Sequence, residues 1–338
     1  MVMLPDLDKV FNVYMQLVDN YQRRFQYLRL SITELCNFQC QYCLPSGYQP
    51  NKEHKFLSLS EINNVVATFT ELGVRKIRLT GGEPTLRRDF IDILSLISSY
   101  PSVKELAITT NGSRLLKNIH HWHQAGLNAI NISIDSFTPH LFKLITGQDK
   151  LKELLQCVDK SLEVGIKKVK INTVLMKNMN DNLNDYLLWI KDIPVELRFI
   201  ELMETGESND TFNRYHLSGS FIEKQLIAQG WELQPKKSLS GPAKIYVHSD
   251  YQGKIGLIMP YSKDFCKSCN RLRVSSIGKL HYCLFGDAAV DLRDLLESSE
   301  QKRQLKARIL ASLMIKPEKH LLHNHRVGLT PNLSYIGG

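Results

Sequence analysis

Apolar and polar positions change their spacing repeatedly between about residue 28 and residue 201. Extended segments alternate there with helical ones, which is typical of a βα-repeat fold with parallel strands. After the first strand, Ser58 and Glu61 form a capping-box pattern, and Gly73 stands where a helix C-cap glycine belongs. The six predicted strands read YLRLSI, RKIRLT, KELAITT, NAINISI, KVKINTVL and VELRFIEL in chain order.

Side chains alternate in chemistry along each predicted strand. In a βα barrel, helices cover the outer face of every strand, so that face must be apolar and the other face lines the interior. The outer face is assigned Leu28, Leu30, Ile32, Ile77, Leu79, Leu106, Ile108, Ile130, Ile132, Ile134, Val169, Ile171, Val195, Leu197 and Phe199. The inner face is assigned Arg29, Ser31, Thr33, Lys76, Arg78, Thr80, Thr109, Asn111, Asn131, Ser133, Asp135, Lys168, Lys170, Asn172, Glu196 and Arg198.

The polar inner face limits the kind of barrel. A complete eight-stranded barrel fills its centre with branched apolar side chains, and this sequence cannot do so. It therefore predicts an α/β fold with an incomplete six-stranded (βα)6 open barrel. The interior would be a wet, basic cavity suited to a polyanionic ligand.

The pattern changes after residue 201. A polar linker precedes a helical segment near residues 217–229, extended pieces at 243–248 and 254–259, and another helical stretch at 291–315. We therefore predict three regions. They are an N-terminal extension at 1–27, the partial barrel at 28–240, and a C-terminal α+β region with a Gly-Gly tail at 241–338.

Composition narrows the classes of function. No uncharged apolar run approaches the roughly 18 residues that span a bilayer, and the N-terminal MVMLPDLD turns acidic before a signal region can form. The formal charge of +9 favours anionic ligands, but its even spread along the chain argues against nucleic acid. Seven cysteines, six of them in two triplets, suit a reducing compartment, while Cys157 fits a helix core. These features predict a cytoplasmic protein with no membrane partner.

The first triplet, TELCNFQCQYC, holds Cys36, Cys40 and Cys43. Thiolates suit zinc or iron-sulfur clusters. A structural zinc site requires four protein ligands, whereas three thiolates can hold a four-iron cluster and leave one iron open for chemistry. A zinc knuckle with a distant fourth ligand is the alternative. Because the triplet directly follows the first strand, it is predicted to lie where such folds place their active sites.

The second triplet, Cys266, Cys269 and Cys283, has the spacing C-x2-C-x13-C. Taken alone, this pattern is ambiguous. A zinc ribbon could use His281 or a distant residue as its fourth ligand, and a second three-cysteine cluster is the other interpretation.

Two motifs together resemble the radical S-adenosylmethionine family: C-x3-C-x2-C with Tyr42 before its last cysteine, and the later strand and loop IRLTGGEP. The resemblance implies that Cys36, Cys40 and Cys43 hold a [4Fe-4S] cluster whose open iron binds S-adenosyl-L-methionine. It also implies that the GGEP loop receives the amino group of that ligand, which requires close approach of backbone acceptors. The implied S-adenosylmethionine contacts are Tyr42, Gly81, Gly82, Glu83, Thr109, Ser133 and Met203.

Nearly the whole chain is similar to the GTP 3′,8-cyclase family of molybdenum-cofactor biosynthesis, through GVRKIRLTGGEPTLRRDF, TTNG, INISID, VELRFIELM, CNRLRVSSIGKL and the terminal IGG. The resemblance implies a lyase that cyclises GTP to 3′,8-cyclo-7,8-dihydro-GTP, with a second [4Fe-4S] cluster on Cys266, Cys269 and Cys283 that binds the purine. Glu34, Leu35, Leu44 and Leu333 depart from the family pattern without affecting the ligands. The implied GTP contacts are Arg29, Lys76, Arg78, Lys170, Arg198, Arg271 and Arg273, of which Arg29, Arg271 and Arg273 are implied to be catalytic.

The family also implies partners for this chain. The product would pass to the cyclic pyranopterin monophosphate synthase, a flavodoxin-like or equivalent donor would supply electrons, and a homodimer is compatible with the sequence. The tail at Gly337 and Gly338 would insert into the active-site cavity and help to position Arg29.

Two other functions compete with this interpretation of the sequence. They are another radical enzyme with an auxiliary cluster, such as a peptide-modifying one, and a non-catalytic iron-sulfur or zinc protein. The second leaves the GGEP loop and the polar interior unexplained.

Overall fold

The computed structural model describes residues 16–51, 53–206, 209–236, 239–328 and 332–336. One sheet of twelve strands runs through this part of the chain. The strands are β1 (Tyr27–Ser31), β2 (Lys76–Thr80), β3 (Glu105–Thr110), β4 (Ala129–Ser133), β5 (Lys168–Leu175), β6 (Glu196–Glu201), β7 (Glu232–Leu233), β8 (Lys244–Val247), β9 (Lys254–Ile258), β10 (Arg271–Val274), β11 (Lys279–His281) and β12 (Ala289–Asp291).

Nine helices occur in the described part of the chain, of which the first six connect β1 to β6 in succession and the last three follow β6. They are α1 (Leu59–Glu71), α2 (Phe90–Ser98), α3 (Leu115–Gln124), α4 (Pro139–Thr146), α5 (Leu151–Glu163), α6 (Leu183–Ile190), α7 (Asn209–Tyr215), α8 (Ser220–Ala228) and α9 (Lys302–Leu313). Short 3-10 turns occupy Pro84–Leu86, Arg293–Leu295, Ser299–Gln301 and Leu322–Asn324. Within the described ranges, no helix combines the length and the apolarity needed to cross a membrane.

The sheet is open and mostly parallel. Strands β1 to β6 lie side by side in chain order and pair in parallel, in the order predicted from the sequence. The sheet does not end with these six strands, however. Strand β10 pairs in parallel with β1, and β9 pairs in parallel with β6, so the C-terminal region continues the sheet at both edges. The fold is therefore α/β with a non-closed sheet.

The predicted alternation along the strands is confirmed on the outer face. Every residue assigned to that face from β1 to β6 is buried in one hydrophobic cluster beneath the helices. Helix α1 begins as predicted, because Ser58 Oγ accepts from the Glu61 amide at 3.2 Å and Glu61 Oε2 accepts from the Ser58 amide at 2.7 Å. Gly73 follows this helix with φ +98°, a conformation that favours glycine.

The strand register sets arginines side by side. Arg29 of β1 lies opposite Arg78 of β2 on one side and Arg273 of β10 on the other. Tyr27 lies two residues earlier in β1, opposite Lys76 and Arg271. Because residues two apart point to the same face of a strand, these side chains form adjacent rows on the inner face.

Both ends of the described chain pack near β1. Val18 and Arg24 form a short antiparallel bridge, and Phe25 is buried in the core. At the other end, Ile336 is buried, and the Ser31 hydroxyl lies 3.5 Å from the Tyr335 carbonyl oxygen. The predicted tail at Gly337 and Gly338 and most of the predicted N-terminal extension lie outside the described residues.

Candidate active site

A cavity opens on the inner face of the sheet and has about 1520 Å³ of space, counted with its mouth. Strands β1 to β6 contribute polar wall residues that the sequence assigned to the inner face. The C-terminal region supplies the opposite wall, including the segment at residues 316–320. The polar wall residues from β1 to β6 and the loop after β4 are Arg29, Arg78, Thr109, Asn131, Ser133, Asp135, Asn172 and Arg198.

The first cysteine group lies in the loop after β1. The amides of Cys43 and Leu44 each donate to the Cys40 carbonyl at 3.0 Å, which folds the loop tightly. Cys36 and Cys43 reach the cavity wall, and Cys40 packs against apolar side chains beside them. Burial raises the pKa of the Cys36 thiol, and burial with the nearby Asp135 carboxylate raises that of Cys40. Thiolates at these positions therefore need a cationic partner, which a metal cluster provides.

Tyr42 is fixed by a buried carboxylate. Its hydroxyl donates to Asp135 Oδ2 at 2.9 Å, and the Val174 amide donates to Asp135 Oδ1 at 2.9 Å. Burial raises the pKa of Asp135 to about 6. This carboxylate joins the cysteine loop to β5, and the sequence reasoning gave Asp135 an inner-face position but no such role.

Gly81 and Gly82 form the cavity wall next to the cysteine loop. A Cβ at Gly81 would lie 2.1 Å from the Thr33 carbonyl oxygen, and one at Gly82 would lie 2.3 Å from the Leu35 carbonyl oxygen. Gly81 also has φ +145°, which strains other residues. The two loops pack backbone to backbone, and only glycine fits at both positions.

Glu83 has a different position from its neighbours. Its buried carboxylate accepts from the amides of Thr85 (3.1 Å) and Asn111 (2.6 Å) and from the hydroxyls of Thr85 (2.5 Å) and Thr110 (2.8 Å). The Glu83 side chain is not part of the cavity wall. It therefore holds the glycine loop against the end of β3, and its predicted contact with S-adenosylmethionine stays a prediction.

The remaining predicted S-adenosylmethionine contacts come from three other elements. Thr109 lies near the end of β3, Ser133 ends β4, and Met203 follows β6. All three line the cavity, as do Tyr42 and the two glycines. The structure thus brings together every residue of this predicted set except the Glu83 side chain.

Five of the predicted nucleotide contacts are arginines on the cavity wall: Arg29, Arg78, Arg198, Arg271 and Arg273. Four of them lie on the neighbouring strands β10, β1 and β2, and Arg198 lies on β6. Burial lowers the pKa of Arg78 to about 10, so its guanidinium remains charged at neutral pH. An anion in the cavity would therefore meet a wall of buried positive charge.

Lys76 and Lys170 do not reach the cavity wall. Lys76 Nζ lies 2.6 Å from a carboxylate oxygen of Glu105, and Lys170 Nζ lies 3.6 Å from one of Glu196. Glu196 also pairs with Arg198. Burial and the charge of Arg198 lower the pKa of Lys170 to about 7. The two lysines are held by glutamates. The sequence analysis placed Glu196 on the inner face but gave it no such role, and it did not name Glu105.

The second cysteine group lies on the C-terminal side of the cavity. Cys266, Cys269 and Cys283 all line it, and Arg271, two residues after Cys269, begins β10. Burial opposes ionisation of Cys269, but Arg271 and Lys316 together lower its pKa to about 7. A thiolate at this position is thus partly balanced by the protein itself.

Arg23 is a site residue that the sequence reasoning missed. It is buried, lines the cavity, and donates to the carbonyls of Cys266 (3.2 Å), Pro317 (2.8 Å) and Glu318 (2.5 Å). Its guanidinium also pairs with the buried Asp19 at 2.6 Å. A single arginine before the first strand carries no sequence signal that could have identified this role.

The structure also shows whether side chains around the cysteine groups are arranged as ligands of a single metal ion. Among the described residues, no set of three or more His, Cys, Asp or Glu side chains is arranged to hold one metal ion. His281, the zinc-ribbon candidate, instead packs edge-on against Tyr335 with ring centroids 5.7 Å apart.

The sequence matches two known families over adjacent segments. Residues 30–190 match the Radical SAM superfamily, and residues 195–322 match the family Molybdenum Cofactor Synthesis C. The chain is therefore a radical S-adenosylmethionine enzyme.

Similarity to curated relatives shows which family of radical S-adenosylmethionine enzymes the chain belongs to. The chain is 54% identical over 324 residues to the GTP 3′,8-cyclase of Yersinia pestis and 55% identical over 324 residues to that of Photorhabdus laumondii, each match covering 96% of this chain and 99% of the relative. It is 52% identical to the GTP 3′,8-cyclase of Psychromonas ingrahamii over 335 residues, with 99% of each chain covered. The chain belongs to the GTP 3′,8-cyclase family.

Solved structures resemble the fold at low identity. SuiB from Streptococcus suis bound to S-adenosylmethionine aligns with a TM-score of 0.62 at 14% identity, covering 93% of this chain and 76% of that one. SuiB bound to the precursor peptide SuiA aligns with a TM-score of 0.61 at 13% identity, covering 96% and 77%. At this identity, the likeness supports the fold alone.

Proposed function

We propose that this chain cyclises GTP to 3′,8-cyclo-7,8-dihydro-GTP as the first step of molybdenum-cofactor biosynthesis. The observation that carries the proposal is one cavity whose wall holds cysteines of both triplets and the five predicted arginines, of which all but Arg271 are buried. A purine nucleoside triphosphate has a polyanionic end, which needs the arginines. It also has a reactive sugar and base, which need the cysteine groups. Full-length similarity to GTP 3′,8-cyclases supports the same substrate.

Cys36, Cys40 and Cys43 would hold the [4Fe-4S] cluster that membership of the radical S-adenosylmethionine class implies. Together with S-adenosyl-L-methionine, the bound cluster supplies reductive one-electron chemistry and a carbon radical able to remove the ribose 3′ hydrogen. Gly81 and Gly82 leave room for the amino acid end of that ligand. Tyr42, Glu83, Thr109, Ser133 and Met203 complete the proposed S-adenosylmethionine contacts.

The arginine wall and the two lysines behind it would hold the triphosphate. Burying a phosphate charge is costly unless cations pair with it, and these residues set several basic groups side by side in and behind the cavity wall. Their fixed positions would orient the ribose, which lowers the entropic part of the barrier. The proposed GTP contacts are Arg29, Lys76, Arg78, Lys170, Arg198, Arg271 and Arg273.

Cys266, Cys269 and Cys283 would hold a second [4Fe-4S] cluster that binds the guanine base. Arg273 lies beside Arg29 in the strand register, and Arg29, Arg271 and Arg273 line the same cavity as cysteines of both groups, which supports a shared role. We assign them the catalytic role of placing C8 of the base against the ribose.

We further propose that β1 to β6 form a six-stranded partial barrel and that a boundary between two regions of the chain lies near residue 240.

The proposed partners follow from the pathway. The cyclised product would be consumed by the cyclic pyranopterin monophosphate synthase, and a flavodoxin-like or equivalent protein would deliver electrons. A homodimer is compatible with the proposal.

The function is tested by product analysis. Reconstituted wild-type protein with about eight irons in two clusters should convert S-adenosylmethionine to 5′-deoxyadenosine and GTP to the cyclised nucleotide. Replacing Cys36, Cys40 and Cys43 together by alanine should abolish both products, while iron on the second cysteine group remains. Formation of 5′-deoxyadenosine by that triple variant would rule out the assignment of the radical cluster. A wild-type protein that cleaves S-adenosylmethionine but never alters GTP would rule out the substrate.

A further inference from the structure

Tyr27 is a buried tyrosine for which the proposed mechanism has no use. It lies in β1 with only 1% of its surface exposed, and its ring is surrounded by cations. Lys76 Nζ lies 4.5 Å from the ring centroid, Arg78 Cζ 5.6 Å and Arg29 Cζ 5.9 Å. Within the described residues its hydroxyl makes no well-formed hydrogen bond, although Arg29 lies near enough to interact with it.

The surroundings of Tyr27 have an excess of positive charge. Arg271 lies opposite Tyr27 in the register of β10, but its guanidinium lies over the Phe265 ring, so the cations at the Tyr27 ring are Lys76, Arg78 and Arg29. Glu105 on β3 offsets part of this charge, but it pairs with both Lys76 and Lys168. Arg78 donates to the Thr109 hydroxyl at 3.4 Å rather than to a carboxylate. A second negative charge near Tyr27 would therefore be stabilised.

The phenol can provide that charge. Burial opposes its ionisation, but Arg78, Arg29 and Lys76 together lower the pKa of Tyr27 to about 6. A group whose pKa lies below the ambient pH is in its deprotonated form, which for tyrosine is the anion.

We propose that Tyr27 is a positioning residue that serves as the internal counter-anion of the cations Arg29, Lys76 and Arg78 and takes up a proton from solvent when a polyphosphate binds to these cations. The phosphate chain brings its own negative charge to the same cations. Two anions sharing them repel each other, and protonation of the phenolate removes that repulsion. One proton is gained at the Tyr27 oxygen, and no other bond changes. This inference rests on the proposed role of the cations in binding triphosphate.

The consequence is a binding step coupled to protons. At a pH above the pKa of free Tyr27, each nucleotide bound consumes up to about one proton, so affinity should fall as the pH rises. A tyrosine that only fills space would keep one ionisation state throughout. The ionisation state of Tyr27 with and without nucleotide therefore separates the two roles.

The test follows the tyrosine ring carbons of the reconstituted holoenzyme by NMR. Protein labelled with 13C at the tyrosine Cζ is titrated from about pH 5 to pH 9, because this carbon shifts when the phenol ionises. The Tyr27 signal is identified by its loss in the Tyr27→Phe variant. Tyr246, whose pKa is raised by burial and by its hydrogen bond to Glu223, serves as an internal control that stays protonated.

We expect one tyrosine to titrate near neutral pH in free protein, and its signal at about pH 8 should return to the phenol position with saturating GTP but not with guanosine. A protein in which no tyrosine ionises below about pH 9 overturns the proposal, even if Tyr27→Phe fails to fold. So does a Tyr27 signal that GTP leaves unchanged while calorimetry shows that GTP binds more tightly than guanosine. Equal calorimetric affinity for GTP and guanosine would instead contradict the triphosphate role of the cations.

Discussion

At the scale of single residues, the position of Arg198 depends on the absence of a side chain on the neighbouring strand. Gly256 of β9 lies opposite Arg198 of β6 in the parallel register. A Cβ at Gly256 would lie 2.9 Å from Arg198 Cγ, closer than such atoms approach in proteins. The glycine therefore leaves the space across which the arginine reaches the cavity. No sequence pattern around Gly256 indicates this, because the contact joins residues far apart in the chain.

Gly256→Ala should weaken GTP binding. The added methyl group must push Arg198 aside or strain the strand, and such overpacking costs about 1–3 kcal/mol. We expect GTP affinity to fall by roughly 5- to 150-fold, with a smaller effect on guanosine because guanosine carries no phosphate. Calorimetry with both ligands measures the difference.

Gly241→Ala is the matched control, since an added Cβ there has no described neighbour within 4 Å. It should leave both affinities unchanged. If Gly256→Ala reduced guanosine and GTP affinity equally, the link between Gly256 and phosphate binding would be wrong.

At the scale of elements, local patterns predicted more than long-range ones. The six parallel strands, the capping box before α1 and the apolar outer face all follow from short-range periodicity, and the structure confirms them. The pairing of β9 with β6 and of β10 with β1 could not be predicted, because strand partners distant in sequence leave no local signal. The position of Glu83 was also missed, since a motif specifies residue types but not which way a side chain turns.

The segment before β1 is an element whose importance appears only in the structure. Arg23 joins the buried Asp19 to carbonyl groups of the second cysteine loop and of residues 317 and 318. A planar guanidinium can satisfy several acceptors at once, which lysine cannot do with the same geometry. This segment thus ties the N-terminal part of the described chain to the C-terminal wall of the cavity.

Arg23→Met should destabilise the second cysteine group. Removing the guanidinium leaves Asp19 buried without its partner, and breaking a buried pair costs about 3–5 kcal/mol. In protein that already carries alanine at Cys36, Cys40 and Cys43, we expect Arg23→Met to retain less iron and to unfold at a lower temperature. Iron and sulfide analysis together with thermal unfolding provide the measurement.

The neighbouring Arg24 is exposed, so Arg24→Met removes a similar charge without removing the buried contacts. This control should match its parent in iron content and unfolding temperature. Equal iron retention by the two variants would show that Arg23 does not support the second group.

At the scale of the whole molecule, one sheet unites the segments that match separate families. Strands β2 to β5 and the end of β1 lie in the segment that matches the Radical SAM superfamily. Strand β6, and the strands β9 and β10 that cover the two edges of the six, lie in the segment that matches Molybdenum Cofactor Synthesis C. Leu257 and Leu272, carried by these covering strands, belong to the same hydrophobic cluster as the core of β1 to β6. Both segments therefore contribute to the stability of the fold and to the cavity wall.

From this arrangement we predict how a truncated variant of the chain that ends at Lys236 would behave. Such a chain would lose β9 and β10, and both edges of the remaining parallel sheet would present unpaired backbone groups and apolar surface. We expect it to aggregate or to form soluble oligomers, and to hold the first cluster poorly even though Cys36, Cys40 and Cys43 are all present. Size-exclusion chromatography and iron analysis after reconstitution test this, with the full-length chain treated in parallel. A truncated chain that stayed monomeric with a full first cluster would show that the region before residue 240 folds independently, and the division proposed there would then be a true domain boundary.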